Sequence, residues 1–444
     1  MKRAIIGAIL TVLICIGIHP VSAQANELQK HIKHTPKNGV LELDAKIYKG
    51  NVVIDKPLTI IGKKGTKIYG DKSGNVIEIR SDDVTLDQLE IKYSGLSRSS
   101  KEEYSGVRVM GNSATLTNLS ISDSYHGIYL NRTENNVIKN NTIVGFGAEV
   151  LGDQGYGIYI NRAGNNELES NYIEKTRDGI YVEYANNNEI RNNTATKTRY
   201  GLHYMYSNYN TFEGNHFNQN VGGAAIMHSD HITLKNNTFS YNQGSRAFGL
   251  IIQTSRDIHV LKNEFHLNQR GLYVEQSTSN LIEQNEFYNN QVGVEVWASA
   301  TAHVFTKNTF HSNHTNVLAV GGESNNEWFK NGVGNYWDTP MLDLDNDGIS
   351  DMGLEQTSTL SQLVEANELA YLFLDSPAIT IFEKANELLS NEEVMAFDQH
   401  PLMPENRLKS SAIIWIIVAG SMMGLFVYFN KRGQLSWRIF GRKD

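Results

Sequence analysis

Cysteine is almost absent from the sequence, and this restricts the chemistry available to the protein. The chain has 444 residues and a single cysteine, Cys15, which lies in the apolar run Ala4 to Ile18. A basic start, an apolar run and small residues before position 26 are typical of a secretory signal, here residues 1–25. The exported chain would then have no thiol, so any soft-metal site in it must use methionine and histidine.

Proline is also scarce, and acidic residues outnumber basic ones. The chain has 7 prolines and a net charge of −8, and an acidic balance argues against nucleic acid as a partner. Residues 411–429 form a segment without any charged residue. This segment is long enough for a transmembrane helix. The basic tail 430–444 places the C-terminus in the cytoplasm. We therefore expect an exported protein on the extracytoplasmic face of the cytoplasmic membrane, anchored by its C-terminal helix.

Residues 106–335 have no helical periodicity and instead contain a repeat of about 22 residues. A glycine followed by an alternating apolar segment recurs at positions 106, 127, 157, 179, 201, 223, 249, 271 and 293. A second marker, an asparagine three residues after an apolar one, recurs in phase at positions 141, 171, 193, 215, 237, 263, 285 and 308. Each unit reads as two short strands joined by turns, which differs from the strand-plus-helix unit of leucine-rich repeats. The pattern predicts an all-β, right-handed parallel β-helix, with the asparagines in an inward ladder that satisfies backbone groups.

The composition changes on both sides of the repeats. We expect N-terminal β strands or a cap over residues 26–105 and an Asp-rich loop over residues 336–355. Helical spacing over residues 356–408 predicts a C-terminal helical region that caps the solenoid.

Two coils of the repeat carry soft ligands where the other coils carry tyrosine, asparagine or glutamate. Strand alternation points the second and fourth residues after each glycine outward. This places His203, Met205 and Met227 on one exposed face, with His228 nearby. Thioether and imidazole without thiolate is a ligand set that selects Cu(I). Two insertions, before Gly157 and before Gly249, are expected to flank the same face.

Other interpretations of this face remain open. Exposed methionines also serve as contact surfaces for partner proteins, which would make the protein an interaction solenoid without metal. Parallel β-helices also include polysaccharide lyases and hydrolases, and Glu275 and Glu295 lie outward on adjacent coils. No further acid joins them, so a solvated pair is the expectation.

An acidic loop follows the repeats. Its spacing, D-x-D-x-D-G-x-x-D, resembles the first nine positions of a calcium-binding loop, although the twelfth position is leucine. Calcium with a structural role and an ordinary turn that ends the solenoid are both open. The candidate ligands are Asp343, Asp345, Asp347 and Asp351.

Several separate motifs together resemble the NosD family, the accessory proteins that mature the copper centres of nitrous-oxide reductase. The motifs are GLHYMYS, AAIMHS, AFGLIIQTSRD, NQRGLYVE, GNYWD with DLDNDGISD, and LFLDSPAI with DQHPLM. The resemblance covers residues 38 to 403.

The resemblance implies a non-enzymatic β-helix outside the membrane that handles copper, or sulfur. Its partners would be an ABC transporter permease with its ATPases, a copper chaperone lipoprotein and nitrous-oxide reductase. The family motif matches His203, Met205, Met227 and His228, and His400, Pro401, Leu402 and Met403 are predicted to bind a partner. The expected family form is soluble, so the C-terminal membrane helix is a departure that would keep the protein near its transporter.

Overall fold

A short helix begins the described part of the chain. The computed structural model describes residues 26–96, 103–244, 246–322, 325–374, 376–389 and 393–404. The helix, Glu27–His34, is N-capped by the side chain of Asn26 and buries Leu28 and Ile32. These two side chains join the core of the solenoid that follows, so the helix covers its N-terminal end.

Three parallel sheets form the body of the protein, and the chain adds one strand to each sheet per coil. Sheet 1 has 12 strands: Gly39–Leu43, Leu58–Gly62, Thr85–Asp87, Thr115–Thr117, Val137–Lys139, Glu167–Glu169, Glu189–Arg191, Thr211–Glu213, Thr233–Lys235, His259–Leu261, Leu281–Glu283 and Val304–Thr306. Sheet 2 has 13 strands: Ile47–Lys49, Lys67–Tyr69, Glu90–Lys92, Ser120–Ser122, Thr142–Val144, Tyr172–Glu174, Thr194–Thr196, His216–Asn218, Thr238–Ser240, Glu264–His266, Glu286–Tyr288, Thr309–His311 and Tyr336–Trp337. Sheet 3 has 12 strands: Val52–Ile54, Ile77–Ile79, Ser105–Val109, His126–Asn131, Ile158–Asn161, Asp178–Glu183, Tyr200–Met205, Gly222–Met227, Phe248–Gln253, Arg270–Glu275, Val292–Trp297 and Thr315–Val320.

The predicted parallel β-helix is therefore confirmed, but each coil has three strands where the sequence predicted two. The strand that the prediction missed belongs to sheet 2. It is usually three residues long with one inward side chain, as in Tyr172–Glu174. Only two residues separate it from the equally short strand of sheet 1 before it, as between Glu189–Arg191 and Thr194–Thr196, so the sequence pattern took the two strands as one.

The inside of the solenoid is continuous and apolar. Leu202, Tyr204 and Ile226 are fully buried, as the alternation predicted. In sheet 2, Phe239, Phe265 and other phenylalanines on successive coils stack face to face, with ring centroids 4.9 Å apart for this pair. Each coil buries the inward side chains of its neighbours, so a single coil would have no buried core of its own.

A ladder of asparagines holds the corners between sheets 1 and 2, as predicted. In each step the side-chain oxygen of one asparagine accepts hydrogen bonds from the backbone and side-chain amides of the asparagine one coil earlier. For Asn193 and Asn215 these distances are 2.9 and 3.1 Å. The ladder ends at Asp398, whose carboxylate accepts the backbone N–H of Asn335 at 2.7 Å.

The C-terminal end of the solenoid differs from the expected helical cap. An antiparallel pair of strands, Leu354–Ser358 and Glu393–Asp398, covers the last coil, and Met395 from this pair is buried in the solenoid core. Residues 393–398 were predicted to be helical, but strand pairing with a distant segment overrides their helical spacing.

The helical segments lie on the outer face of sheet 3 instead. They are the helix Ser361–Ala366, the 3₁₀ helix Glu368–Phe373 and the helix Pro377–Leu388. Val364, Tyr371 and Ile379 pack there against outward side chains of the last two strands of sheet 3.

Two predicted segments, the signal peptide 1–25 and the transmembrane helix 411–429, lie outside the described residues, as does the basic tail 430–444. Within the described part of the chain, no helix is long and apolar enough to cross a membrane.

His303 replaces asparagine at a second inward ladder, and its protonation should control acid stability. Its Nδ1 accepts the backbone N–H of Asn280 at 3.1 Å, and burial lowers its pKa to about 4. The unfolded chain binds a proton near pH 6.5, so this contribution to stability is present above that pH and is lost as the pH falls towards 4. At pH 5 the loss should be about 2 kcal/mol.

We expect His303→Asn to remove this pH dependence, because asparagine fills the equivalent position on the preceding coil. The free energy of unfolding, measured by denaturant titration at pH 7.5 and pH 5, should change less with pH than in the wild type. His216→Asn, at an exposed position of sheet 2, is the control. An unchanged pH dependence in His303→Asn would show that other groups cause it.

Candidate functional site

The outer face of sheet 3 brings three of the predicted soft ligands together. His203 and Met205 lie on the strand Tyr200–Met205, two residues apart and therefore on the same side. Met227 is the register partner of Met205 on the next strand, so their backbones are about 4.8 Å apart. Both methionines are partly exposed. We name this set of three residues the soft-ligand face.

His203 is held in one orientation by a buried carboxylate. Its Nδ1 lies 2.9 Å from Oδ2 of Asp178 on the preceding strand, and only 8% of the residue is exposed. Because a carboxylate only accepts, the neutral ring donates from Nδ1 and Nε2 carries the lone pair. This is the pairing by which proteins orient metal-binding histidines.

Arg199 completes this arrangement by a two-point contact with Asp178. Its Nε lies 2.8 Å from Oδ1 and its Nη2 lies 2.5 Å from Oδ2. Burial opposes ionisation of Asp178, but the hydrogen bonds from His203 and Arg199 outweigh it and hold the pKa of this carboxyl below its usual value. The carboxylate is thus charged when it receives the imidazole N–H.

The two methionines have different neighbours. The sulfur of Met205 lies 3.7 Å from the hydroxyl of Tyr181, at the end of a stack that also includes Tyr129 and Tyr159. Met227 packs against an apolar cluster that contains Phe248.

Both insertions border the face, as the sequence predicted. Tyr156, at the end of the first insertion, packs on the tyrosine stack. Phe248, at the end of the second, packs on the apolar cluster beside Met227.

His228 lies apart from the other three candidates. It follows Met227 at a turn with φ of 49°, is exposed, and stacks on Tyr206 with ring centroids 5.0 Å apart. Among the described residues, no hydrogen bond or ion pair joins its side chain to the soft-ligand face. Its role as a copper ligand stays a prediction.

Sequence reasoning missed Asp178 and Arg199, which orient the histidine. Strict alternation points Asp178, the residue before Gly179, into the core, whereas it contacts the outward His203. The reason is a corner at each repeat glycine. A Cβ on Gly201 would lie 2.6 Å from a core atom of Phe217, so the glycine itself faces the core and the preceding residue faces out. The sequence did contain one indication of this: an aspartate at a position that strict alternation assigns to the apolar core.

The acidic loop brings three of its four predicted ligands together. Carboxylate oxygens of Asp343, Asp345 and Asp347 lie within 4.8 Å of one another. The N–H of Asp347 lowers the pKa of Asp345, but repulsion from the carboxylate of Asp347 and the proximity of Asp343 outweigh it and raise that pKa. Asp351 instead accepts the backbone N–H of Leu344 at 2.6 Å. Calcium binding by this loop stays a prediction.

Glu295 contradicts the expectation of a solvated carboxylate pair. It is fully buried beneath the 3₁₀ helix and accepts hydrogen bonds from the hydroxyl of Tyr371 and the indole N–H of Trp297. Arg270 lies 3.6 Å away, and burial raises the pKa of Glu295. Glu275 lies at the surface with Tyr273 and Gln253 on its carboxylate. Glu275 and Glu295 therefore do not form a two-carboxylate hydrolytic site.

The segment His400 to Met403 is built into the fold. The carbonyl of Pro401 accepts the N–H of Ser350 at 2.8 Å. The N–H of Met403 donates to the carbonyl of Gly348 at 3.0 Å. These bonds fasten the acidic loop to the last coil, while partner binding by the segment stays a prediction.

Comparison with family models agrees with the fold. A model described as "Right handed beta helix region" matches residues 59–217, so the protein is a right-handed parallel β-helix. A model described as "Periplasmic copper-binding protein (NosD)" matches residues 145–342, which include the soft-ligand face. The resemblance to the NosD family is thereby confirmed. No curated protein sequence matches the chain.

Solved structures share the fold at low identity. The mannuronan C-5 epimerase AlgE6 A-module of Azotobacter vinelandii aligns with a TM-score of 0.54 and 13% identity, over 68% of this chain and 92% of that one. The periplasmic alginate epimerase AlgG aligns with a TM-score of 0.52 and 13% identity, over 66% and 83%. DFA-IIIase from Arthrobacter chlorophenolicus A6 without its lid aligns with a TM-score of 0.50 and 13% identity, over 62% of this chain and 88% of that one. At this identity the likeness shows the fold alone.

Proposed function

We propose that the protein is an accessory factor that handles copper outside the cytoplasmic membrane and helps to mature the copper centres of nitrous-oxide reductase in denitrification. One observation carries the proposal: a histidine oriented by a buried aspartate lies beside two methionines on adjacent strands. The match to a family described as periplasmic copper-binding supports it.

The donor set suits Cu(I) as a cargo. Two thioethers and one imidazole are neutral, soft donors, and they favour Cu(I) over zinc or hard cations. Asp178 keeps Nε2 of His203 available, and the partial exposure of Met205 and Met227 leaves the ion accessible to a donor or an acceptor protein. The role of this chain is then to bind and release the ion, without catalysis.

The partners follow from the family resemblance. A copper chaperone lipoprotein would supply the ion, and an ABC transporter permease with its ATPases would act together with this protein at the membrane. Sulfur is the alternative cargo, although the methionines and histidine favour copper.

A Cu(I) competition titration of the full chain with Cys15→Ser, in detergent, tests direct binding without a competing thiol. The wild type, His203→Ala, Met205→Ala, Met227→Ala and His228→Ala are titrated under reducing conditions against a chromophoric chelator. We expect stoichiometric binding by the wild type and at least about a tenfold weaker Kd for the first three variants, because each loses a ligand. Met110→Ala removes an exposed methionine elsewhere on the solenoid and is the matched control.

The outcomes separate the alternatives. An unchanged affinity in all variants would place copper elsewhere, and no binding by the wild type would make the soft-ligand face a docking surface. His228→Ala decides whether that histidine takes part.

A further inference from the structure

The helix Pro377–Leu388 has its polar side towards the protein. Oε1 of Glu383 lies 3.3 Å from Nε2 of His314 on the solenoid. Together with Thr380 and Glu387, Glu383 lines a cavity of about 290 Å³ between the helix and the end of the solenoid. Ile379 is the apolar residue of this helix that is buried. The contact with the body of the protein is therefore largely polar.

The opposite side of the helix is apolar and faces solvent. Ile381 is 70% exposed, Leu388 is 85% exposed and the adjoining Leu389 is 69% exposed. With Ala385 they follow the i, i+4, i+7, i+8 spacing of a single helical stripe, and Phe382 lies at its edge. This orientation reverses that of a surface helix in a globular protein, whose apolar stripe normally packs inward.

Exposed apolar residues are concentrated at this end of the protein. Of the 23 large hydrophobic side chains that are exposed in the described part of the chain, 12 lie between residues 342 and 397. The 3₁₀ helix beside Pro377–Leu388 contributes Leu369, Leu372 and Phe373, each more than half exposed. Many of the others, on the long solenoid, are single tyrosines. A concentration of exposed apolar side chains of this kind marks an interaction site.

The continuation of the chain indicates what covers this surface. The described residues end at Pro404, and only residues 405–410 separate it from the uncharged segment that begins at Ser411. Seven residue steps span at most about 25 Å, so insertion of that segment would hold the C-terminal end of the solenoid next to the bilayer.

We propose that the apolar side of the helix Pro377–Leu388 lies in the interfacial region of the lipid bilayer, as a second membrane contact besides the predicted transmembrane helix. The solenoid then has a defined orientation on the membrane, since two contacts restrict rotation about the single linker. Burial of apolar side chains supplies the attraction, so zwitterionic lipid suffices. The proposal does not depend on copper binding.

Nitroxide accessibility in nanodiscs tests this contact. The full chain with Cys15→Ser carries one new cysteine, either Leu388→Cys or, as the control, Tyr241→Cys, which is at a 52% exposed solenoid position. Both are spin-labelled and reconstituted in phosphatidylcholine nanodiscs. Power saturation is then measured with oxygen, which concentrates in lipid, and with a water-soluble nickel complex. We expect a several-fold higher oxygen-to-nickel accessibility ratio at position 388 than at position 241.

Two other results would overturn the proposal. Equal ratios at the two positions would place the helix in water. Exclusion of both reagents at position 388 would mean that protein covers the stripe, which in these nanodiscs means a second copy of the chain or the segment 411–429. Both labels are at exposed positions, so the substitutions should not disturb folding.

Discussion

Asn215→Ala should lower the free energy of unfolding by about 3–5 kcal/mol, because it removes four buried hydrogen bonds and leaves their partners unsatisfied. The Asn215 side chain accepts from the backbone and side chain of Asn193 at 2.9 and 3.1 Å. It donates to the carbonyl of Ile190 at 2.8 Å and to the side chain of Asn237 at 2.9 Å. In a stack of coils, this defect also weakens the contact between neighbouring repeats.

Denaturant unfolding followed by circular dichroism measures this change. The control is Asn131→Ala, at the partly exposed outward end of the strand His126–Asn131, which should change stability by less than about 0.5 kcal/mol. A loss in Asn215→Ala no larger than in Asn131→Ala would mean that the ladder contributes little to stability.

Asp178→Asn should weaken Cu(I) binding by about 10- to 100-fold while every proposed ligand is retained, which is the usual cost of losing the partner that orients a metal-binding histidine. An amide in place of the carboxylate removes the charge that receives Nδ1–H. It also releases Arg199, whose Nη2 already lies 3.3 Å from Nδ1 of His203 and can then compete for that atom. The imidazole then loses its preferred tautomer and orientation.

The same competition titration measures the affinity of Asp178→Asn, with its melting temperature recorded in parallel. Glu183→Gln is the matched control, since Glu183 lies on the same strand and accepts from Tyr159 and Asn161 rather than from His203. Equal affinities for the two variants would mean that Asp178 has a purely structural role.

The fold was predictable because it repeats. The interval between glycines and the inward aliphatic positions, such as Leu202 and Ile226, indicate stacked coils without any knowledge of long-range contacts. The asparagine ladder was predictable for the same reason. The third strand was not, since only two residues separate a segment such as Thr194–Thr196 from the strand Glu189–Arg191 before it, and the two appear as one in the sequence.

The contacts that sequence reasoning missed join residues far apart in the chain. Tyr371 covers Glu295 from 76 positions away, and no local pattern predicts that contact. Asp178 was missed because the corner at Gly179 breaks the alternation that assigns side chains to faces. His203, Met205 and Met227 could be predicted together because they lie on regular strands in register.

The number of coils sets the distance between the soft-ligand face and the C-terminal end of the solenoid. Five coil steps separate the strand Tyr200–Met205 from the last strand of sheet 3, Thr315–Val320, which amounts to about 24 Å along the axis. A β-helix is stiff along that axis, since each coil bonds to the next along all three of its sheets. The solenoid thus holds the soft-ligand face at a fixed distance from its C-terminal end. Removing one whole coil between these strands would bring His203 closer to the C-terminal end by about 4.8 Å and leave its own neighbours in place.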